Sequence, residues 1–87
     1  MTDPELIDTI RDVLNQFGGL GADAHLIGLE ADLFASGMTS YASVSVMLAL
    51  EDTLAITFPE SMLRRSTFQT IDALAGSIAK LRADVTE

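Results

Sequence analysis

Few residues in this 87-residue chain can do chemistry by type and spacing. Cysteine is absent, which excludes thiol nucleophiles, disulfides and zinc-thiolate sites together and gives no reason to expect an oxidising compartment. The single histidine, His25, has no clustered ligand set around it; an exposed or loop-packing position is expected, and no metal site. A Ser–His–Asp combination is available by residue type, but so small a domain leaves little room for a substrate cavity of about 300 Å³ or more. Gly18, Gly19 and Gly21 follow a helical stretch and lead to no Lys-Ser or Lys-Thr, so the phosphate-cradling loop of nucleotide-binding proteins is missing. The chain is therefore not expected to be an enzyme. Arg64-Arg65 is the only adjacent basic pair and reads as a solvated face, with a partner contact at Arg64 as the alternative. Ser40 stands behind Gly37-Met38-Thr39 at the expected mouth of a helix. Alone it is a cap, yet the free amides and partial positive charge there favour a phosphodiester on that serine by about 0.3–1 kcal/mol.

These residues must be positioned by helices. Leu6, Ile7, Ile10, Val13, Leu14 and Phe17 follow a 3.6-residue period, which predicts a first helix from about 3 to 17. Thr2 with Glu5 offers a capping box, Asp3-Pro4 a second way to start, and Gly18-Gly19 a left-handed stop. Gly18 to Met38 has no such period and reads as a long packed loop, with a short helical turn over Glu30–Phe34. The second helix is expected from Thr39 or Ser40 to about Leu54, either hydroxyl serving as cap. Val46, Met47, Leu50 and Leu54 form one apolar stripe on it; Tyr41, Val44 and Leu48 form another, suited to the approach of a partner protein. Pro59 ends that region, a short helical turn is expected at about 60–65, and the Ser66-Thr67-Phe68-Gln69 capping pattern predicts a last helix over about 68–82. The fold class is therefore all-α: a small four-helix bundle, three longer helices and one short, with a long loop between the first and second. Residues 1–87 form a single domain.

Charge narrows the partners. Thirteen acidic residues against five basic give a net charge of −8, which repels nucleic acid and anionic membranes. The uncharged run Leu33 to Leu50 is interrupted by hydroxyls and flanked by acids rather than basic anchors, so it does not read as a membrane span. The opening Met-Thr-Asp-Pro-Glu has no basic-then-apolar export pattern, and a cytoplasmic monomer is expected.

Several stretches together resemble the acyl carrier and peptidyl carrier protein family over nearly the whole chain. They are Asp32-Leu33-Phe34-Ala35-Ser36-Gly37-Met38-Thr39-Ser40, Val44 to Glu51, Ile56-Thr57-Phe58-Pro59-Glu60 and Thr67-Phe68-Gln69-Thr70-Ile71, with Glu51 eleven residues after Ser40. The resemblance implies that Ser40 carries 4′-phosphopantetheine, added from coenzyme A by a phosphopantetheinyl transferase, and that the arm's thiol holds cargo as a thioester. It also implies partner contacts around the modified serine, for which Gly37, Met38, Thr39, Tyr41, Val44, Leu48 and Arg64 are the candidates. Thr39 stands where the family usually has aspartate, and the second helix lacks the carboxylates typical of fatty-acid carriers. The chain is most similar to stand-alone bacterial aminoacyl carriers, loaded by ligases resembling class II aminoacyl-tRNA synthetases and unloaded by a downstream acyltransferase. The alternatives are a specialised fatty or polyketide acyl carrier and an unmodified helical interaction module.

Overall fold

The first helix starts at Asp3, whose carboxylate accepts the Glu5 amide at 2.9 Å while Pro4 occupies the first turn. In the computed structural model, which describes residues 3–85, helix α1 runs Pro4–Phe17. Thr2, the other proposed start, lies outside the described residues. Leu6, Ile10, Val13 and Leu14 are buried, but Phe17 on the same stripe remains 45% exposed because the helix stops there. The Gly18 amide donates to the Leu14 carbonyl at 2.8 Å, and Gly19 takes the left-handed φ of 66° that the sequence anticipates.

The long connection to the next helix is held at both sides. Against α1, a 3₁₀ turn over Ala24–Leu26 is pinned by Arg11, which donates to the carbonyls of Ala24 and Ile27 at 2.5 and 2.6 Å. Asn15 accepts the Ala24 amide at 2.8 Å. Against the C-terminal part of the chain, the Leu33 amide donates to the Gln69 carbonyl at 2.7 Å and the Asp72 amide to the Leu29 carbonyl at 3.0 Å. Ala24 and Leu33 are buried, whereas Leu20, Ile27 and Phe34 are half-buried. The helical turn expected over 30–34 falls later, over 33–37: Asp32 accepts the Phe34 and Ala35 amides, and the Leu33 and Phe34 carbonyls accept those of Met38 and Gly37.

Helix α2 spans Ser40–Leu54 and presents Val46 and Leu50 to the core. It ends at Ala55, a non-glycine residue in the left-handed conformation at φ 54°. The short element expected at 60–65 is a 3₁₀ turn over Glu60–Met62 followed by a separate four-residue helix, α3, at Arg65–Phe68. The last helix does not begin at 68. Thr67 and Phe68 lie inside α3, the Gln69 carbonyl turns away to meet Leu33, and Thr70 accepts the Ala73 amide at 3.0 Å to start α4, Ile71–Val85. Ile71, Leu74, Ala75, Ile78 and Leu81 from α4 complete the core, with Phe58 and Phe68 tilted against each other at 5.5 Å between ring centroids. The described residues thus form an all-helical bundle of three long helices and one short, as the sequence predicts. No described helix is long and apolar enough to cross a membrane, and no described cluster of His, Asp and Glu is placed to hold a metal ion.

Candidate functional site

The mouth of α2 is built by three neighbouring residues with different tasks. Gly37 adopts φ 123°, and a Cβ there would lie 3.2 Å from the Gly19 carbonyl oxygen and 3.3 Å from the Gly21 nitrogen, so only glycine lets the backbone of 19–21 pass so close. The Gly21 amide fastens this crossing by donating to the Ser36 carbonyl at 3.0 Å. Met38 is 2% exposed and packs in the core. It was expected among the partner contacts, and burial removes it: its side chain anchors the start of the helix from below. Thr39 is the cap, accepting the Ala42 amide at 3.0 Å through Oγ1. A neutral hydroxyl here satisfies the same orphan amides that an aspartate would.

With the cap supplied by Thr39, Ser40 is the first helical residue, exposed, and its Oγ makes no hydrogen bond among the described residues. Two nearby serines differ. Ser36 Oγ donates to the Asp32 carbonyl at 3.0 Å and Ser43 Oγ to the Ser40 carbonyl at 2.6 Å, so each hydroxyl is committed to the backbone. Ser40 thus offers a solvent-facing hydroxyl with no competing partner, the feature a covalent attachment needs.

Beyond Ser40, Tyr41, Val44 and Leu48 stand 84%, 50% and 55% exposed along the outer face of α2. Leu63, missed as a surface residue by the sequence reading, joins them in exposure. Between α2, the turn at 33–37 and the segment before α4 lies a cleft of about 420 Å³, lined among others by Ser40, Val44, Phe34, Leu63, Arg64 and Arg65. This corrects the expectation that so small a bundle leaves little room for such a space. The cleft arises because the 63–68 segment comes back beside the start of α2 and the turn before it, which no local pattern reveals. The Arg65 guanidinium stacks 4.0 Å over the Phe34 ring, a cation–π contact closing one side.

Asp32 supports the site from behind. Its carboxyl is held below the ordinary carboxylate range, first by the Ala35 amide and then by the Gln69 side-chain amide at 3.2 Å, the Phe34 amide and the Arg65 charge, with partial burial opposing them. At the far end of α2, Glu51 accepts the Phe58 amide at 2.8 Å, so the glutamate recognised by its spacing from Ser40 is a brace for the following segment. His25 lies elsewhere: Nε2 is 2.8 Å from Asp12 Oδ1 on an exposed side of α1, and neither residue lines the cleft beside Ser40. No serine–histidine pairing forms at the site.

The family whose described feature is a phosphopantetheine attachment site matches residues 5–78 of the chain. A curated aminoacyl carrier protein from Agrobacterium fabrum is 41% identical over 70 residues, covering 80% of this chain and 84% of that protein. Among solved structures, the carrier protein from Agrobacterium tumefaciens complexed with engineered Bradyrhizobium japonicum glycine:[carrier protein] ligase and ATP superposes with a TM-score of 0.83 at 39% identity. That match covers 86% of this chain and 97% of the other. The glycylated carrier protein bound to Bradyrhizobium japonicum glycine:[carrier protein] ligase is similar at 29% identity and a TM-score of 0.64, covering 84% of this chain and 93% of its own. The sequence match across most of the chain, the superposable bundle and the free serine at the mouth of α2 agree: the chain belongs to the phosphopantetheine-attachment family of carrier proteins.

Proposed function

We propose that this protein carries aminoacyl groups as thioesters on a 4′-phosphopantetheine arm attached to Ser40. The observation supporting the position is the exposed Ser40 hydroxyl, left free because Thr39 supplies the cap while Ser36 and Ser43 donate to backbone carbonyls. The residues present suit the group: a phosphodiester on Ser40 would open onto the cleft that Arg64 and Arg65 also line, and the arm beyond it would meet apolar wall from Val44 and Leu63. When attached, the group supplies the thiol that the chain itself lacks. The aminoacyl cargo is supported by the likeness to the Agrobacterium fabrum aminoacyl carrier protein and to carriers solved with a glycine:[carrier protein] ligase.

The chain's own part is presentation. A rigid bundle holds Ser40 at a fixed helix end, and Tyr41, Val44 and Leu48, with Thr39 and Gly37 at the approach and Arg64 at the rim, form the face that a transferase, a ligase and a downstream acyltransferase would meet in turn. Ten residues from Tyr41 to Leu50 carry no charge, so recognition by this face depends on fit more than on ion pairs and should tolerate salt. We assign it to the cytoplasm, where coenzyme A and the partner enzymes of such a carrier would be met.

Intact-mass measurement after incubation with coenzyme A and a broad phosphopantetheinyl transferase tests the attachment: the expected mass gain appears in the wild type and is absent in Ser40→Ala. An arm located on Ser43 overturns the assignment, and no gain at all favours an unmodified interaction module. The holo form is then offered amino acids and fatty acids with their respective ligases across a salt series. Aminoacylation that persists at moderate salt is expected. Efficient, salt-sensitive acylation by a general fatty-acid enzyme, without aminoacylation, moves the cargo to the acyl class.

A further inference from the structure

Five basic side chains serve this chain against thirteen acidic ones, and where the arginines sit is uneven. Arg11 is consumed by the carbonyls of Ala24 and Ile27. Lys80 and Arg82 lie on α4. Arg64 and Arg65 line the cleft that also contains Ser40. In so acidic a protein an exposed guanidinium has many carboxylates to choose from, yet among the described residues neither arginine has one within 4.0 Å. No carboxylate lines the cleft either. The cleft therefore holds two positive charges whose nearest established counter-charge, the Asp32 carboxylate behind the turn, lies beyond 4.0 Å and outside its lining.

Arg65 is also restrained. Its guanidinium face lies 4.0 Å over Phe34, and stacking uses the flat face of the group while leaving the N–H edge available for hydrogen bonding. A guanidinium edge matches the paired oxygens of a phosphate bidentately, and fixing it in advance lowers the ordering cost of that contact.

We propose that Arg64 and Arg65 bind the phosphodiester through which the arm joins Ser40 and so act as positioning residues that fix the root of the arm against the bundle. The proposal rests on Ser40 being the attachment point. A phosphodiester carries one negative charge and two free oxygens at neutral pH, which supplies the counter-charge the cleft lacks. Held at its root, the arm would leave Ser40 along the wall that carries Val44 and Leu63 instead of sweeping the full hemisphere of solvent.

The test uses phosphorus-31 and nitrogen-15 NMR on the intact holo protein, after mass measurement has established that the arm is present on Ser40. The phosphorus line of the folded wild type is expected to be displaced from that of the same holo protein unfolded in urea. The Arg65 Nε–Hε signal is expected to move between the apo and holo forms. Both displacements should shrink at about 1 M salt, where the screening length falls to about 3 Å. In R64Q/R65Q, with melting temperature near that of the wild type, the phosphorus line should collapse onto its unfolded position. R65K, which keeps charge but not the fork, should retain only part of the displacement. If the holo protein forms and the phosphorus line is the same in wild type and R64Q/R65Q, the proposal is overturned while the carrier reading stands. A loss of ligase activity in R64Q/R65Q without change in the phosphorus line also overturns it, assigning the pair to the partner enzyme instead. If Ser40 accepts no arm, the carrier reading fails and this one with it.

Discussion

Val46 and Leu50 on one face of α2 are completely buried, while Tyr41, Val44 and Leu48 on the other are largely open to solvent. The side chains are of the same kind, so hydrophobicity does not distinguish them; only the neighbours do. The inner face packs against α1 within the core and fixes the helix. The outer face adds nothing to that hold and keeps apolar surface available for something outside the chain. A helix that is apolar on two sides in so small a bundle thus presents two distinct faces, and each can be perturbed without the other.

The widest separation should come from truncating one leucine on each face. Leu50→Ala removes a fully buried side chain and is expected to cost about 2–5 kcal/mol, whereas Leu48→Ala should stay within about 0.5 kcal/mol and chiefly weaken loading. Urea unfolding of both variants checks this; equal costs would break the distinction between the faces. Gly37→Ala comes next, because it strains a φ of 123° and presses a methyl against the backbone of Gly19 and Gly21. A loss of about 1–3 kcal/mol is expected, with transferase modification slowed as the start of α2 shifts. At the opposite end the sign reverses: Ala55→Gly relieves a left-handed alanine and should raise stability by about 0.5–1 kcal/mol in thermal melts, leaving loading unchanged.

The smallest effect concerns the turn behind the site. The folded-state pKa of Asp32 is lowered, so its contribution to stability is fully present above the unfolded value of about 3.9 and is lost as pH falls through the folded value. Asp23 acts in the same direction through Asn15 and the His25 amide. Melting temperature should therefore be steady from neutral pH to about pH 4 and fall below it, and Asp32→Asn should flatten part of that fall.

What the sequence made legible was local. The 3.6-residue period of α1, the Gly18-Gly19 stop and both stripes of α2 depend on neighbours within a few turns, and each appears where the spacing puts it. The carrier fold was legible through a motif. Features joining distant segments were not. The break between α3 and α4 depends on the Gln69 carbonyl meeting Leu33, the cleft on the return of the 63–68 segment to the start of α2, and the withdrawal of Met38 on the turn begun at Asp32. Thr39 and Ser40 were both possible caps by type. Only geometry separates the one that caps from the one left free.

Asp32 and Gln69, which help to hold the turn below Ser40, stand 37 residues apart in the chain. During synthesis at about 5–20 residues per second, Ser40 leaves the ribosome seconds before α4 can. Until α4 arrives, the Leu33 amide has no Gln69 carbonyl to meet and the Leu29 carbonyl no Asp72 amide, so the platform under the serine is incomplete. The long-range ties of an irregular loop thus make the surface under Ser40 one of the last parts of the molecule to be completed.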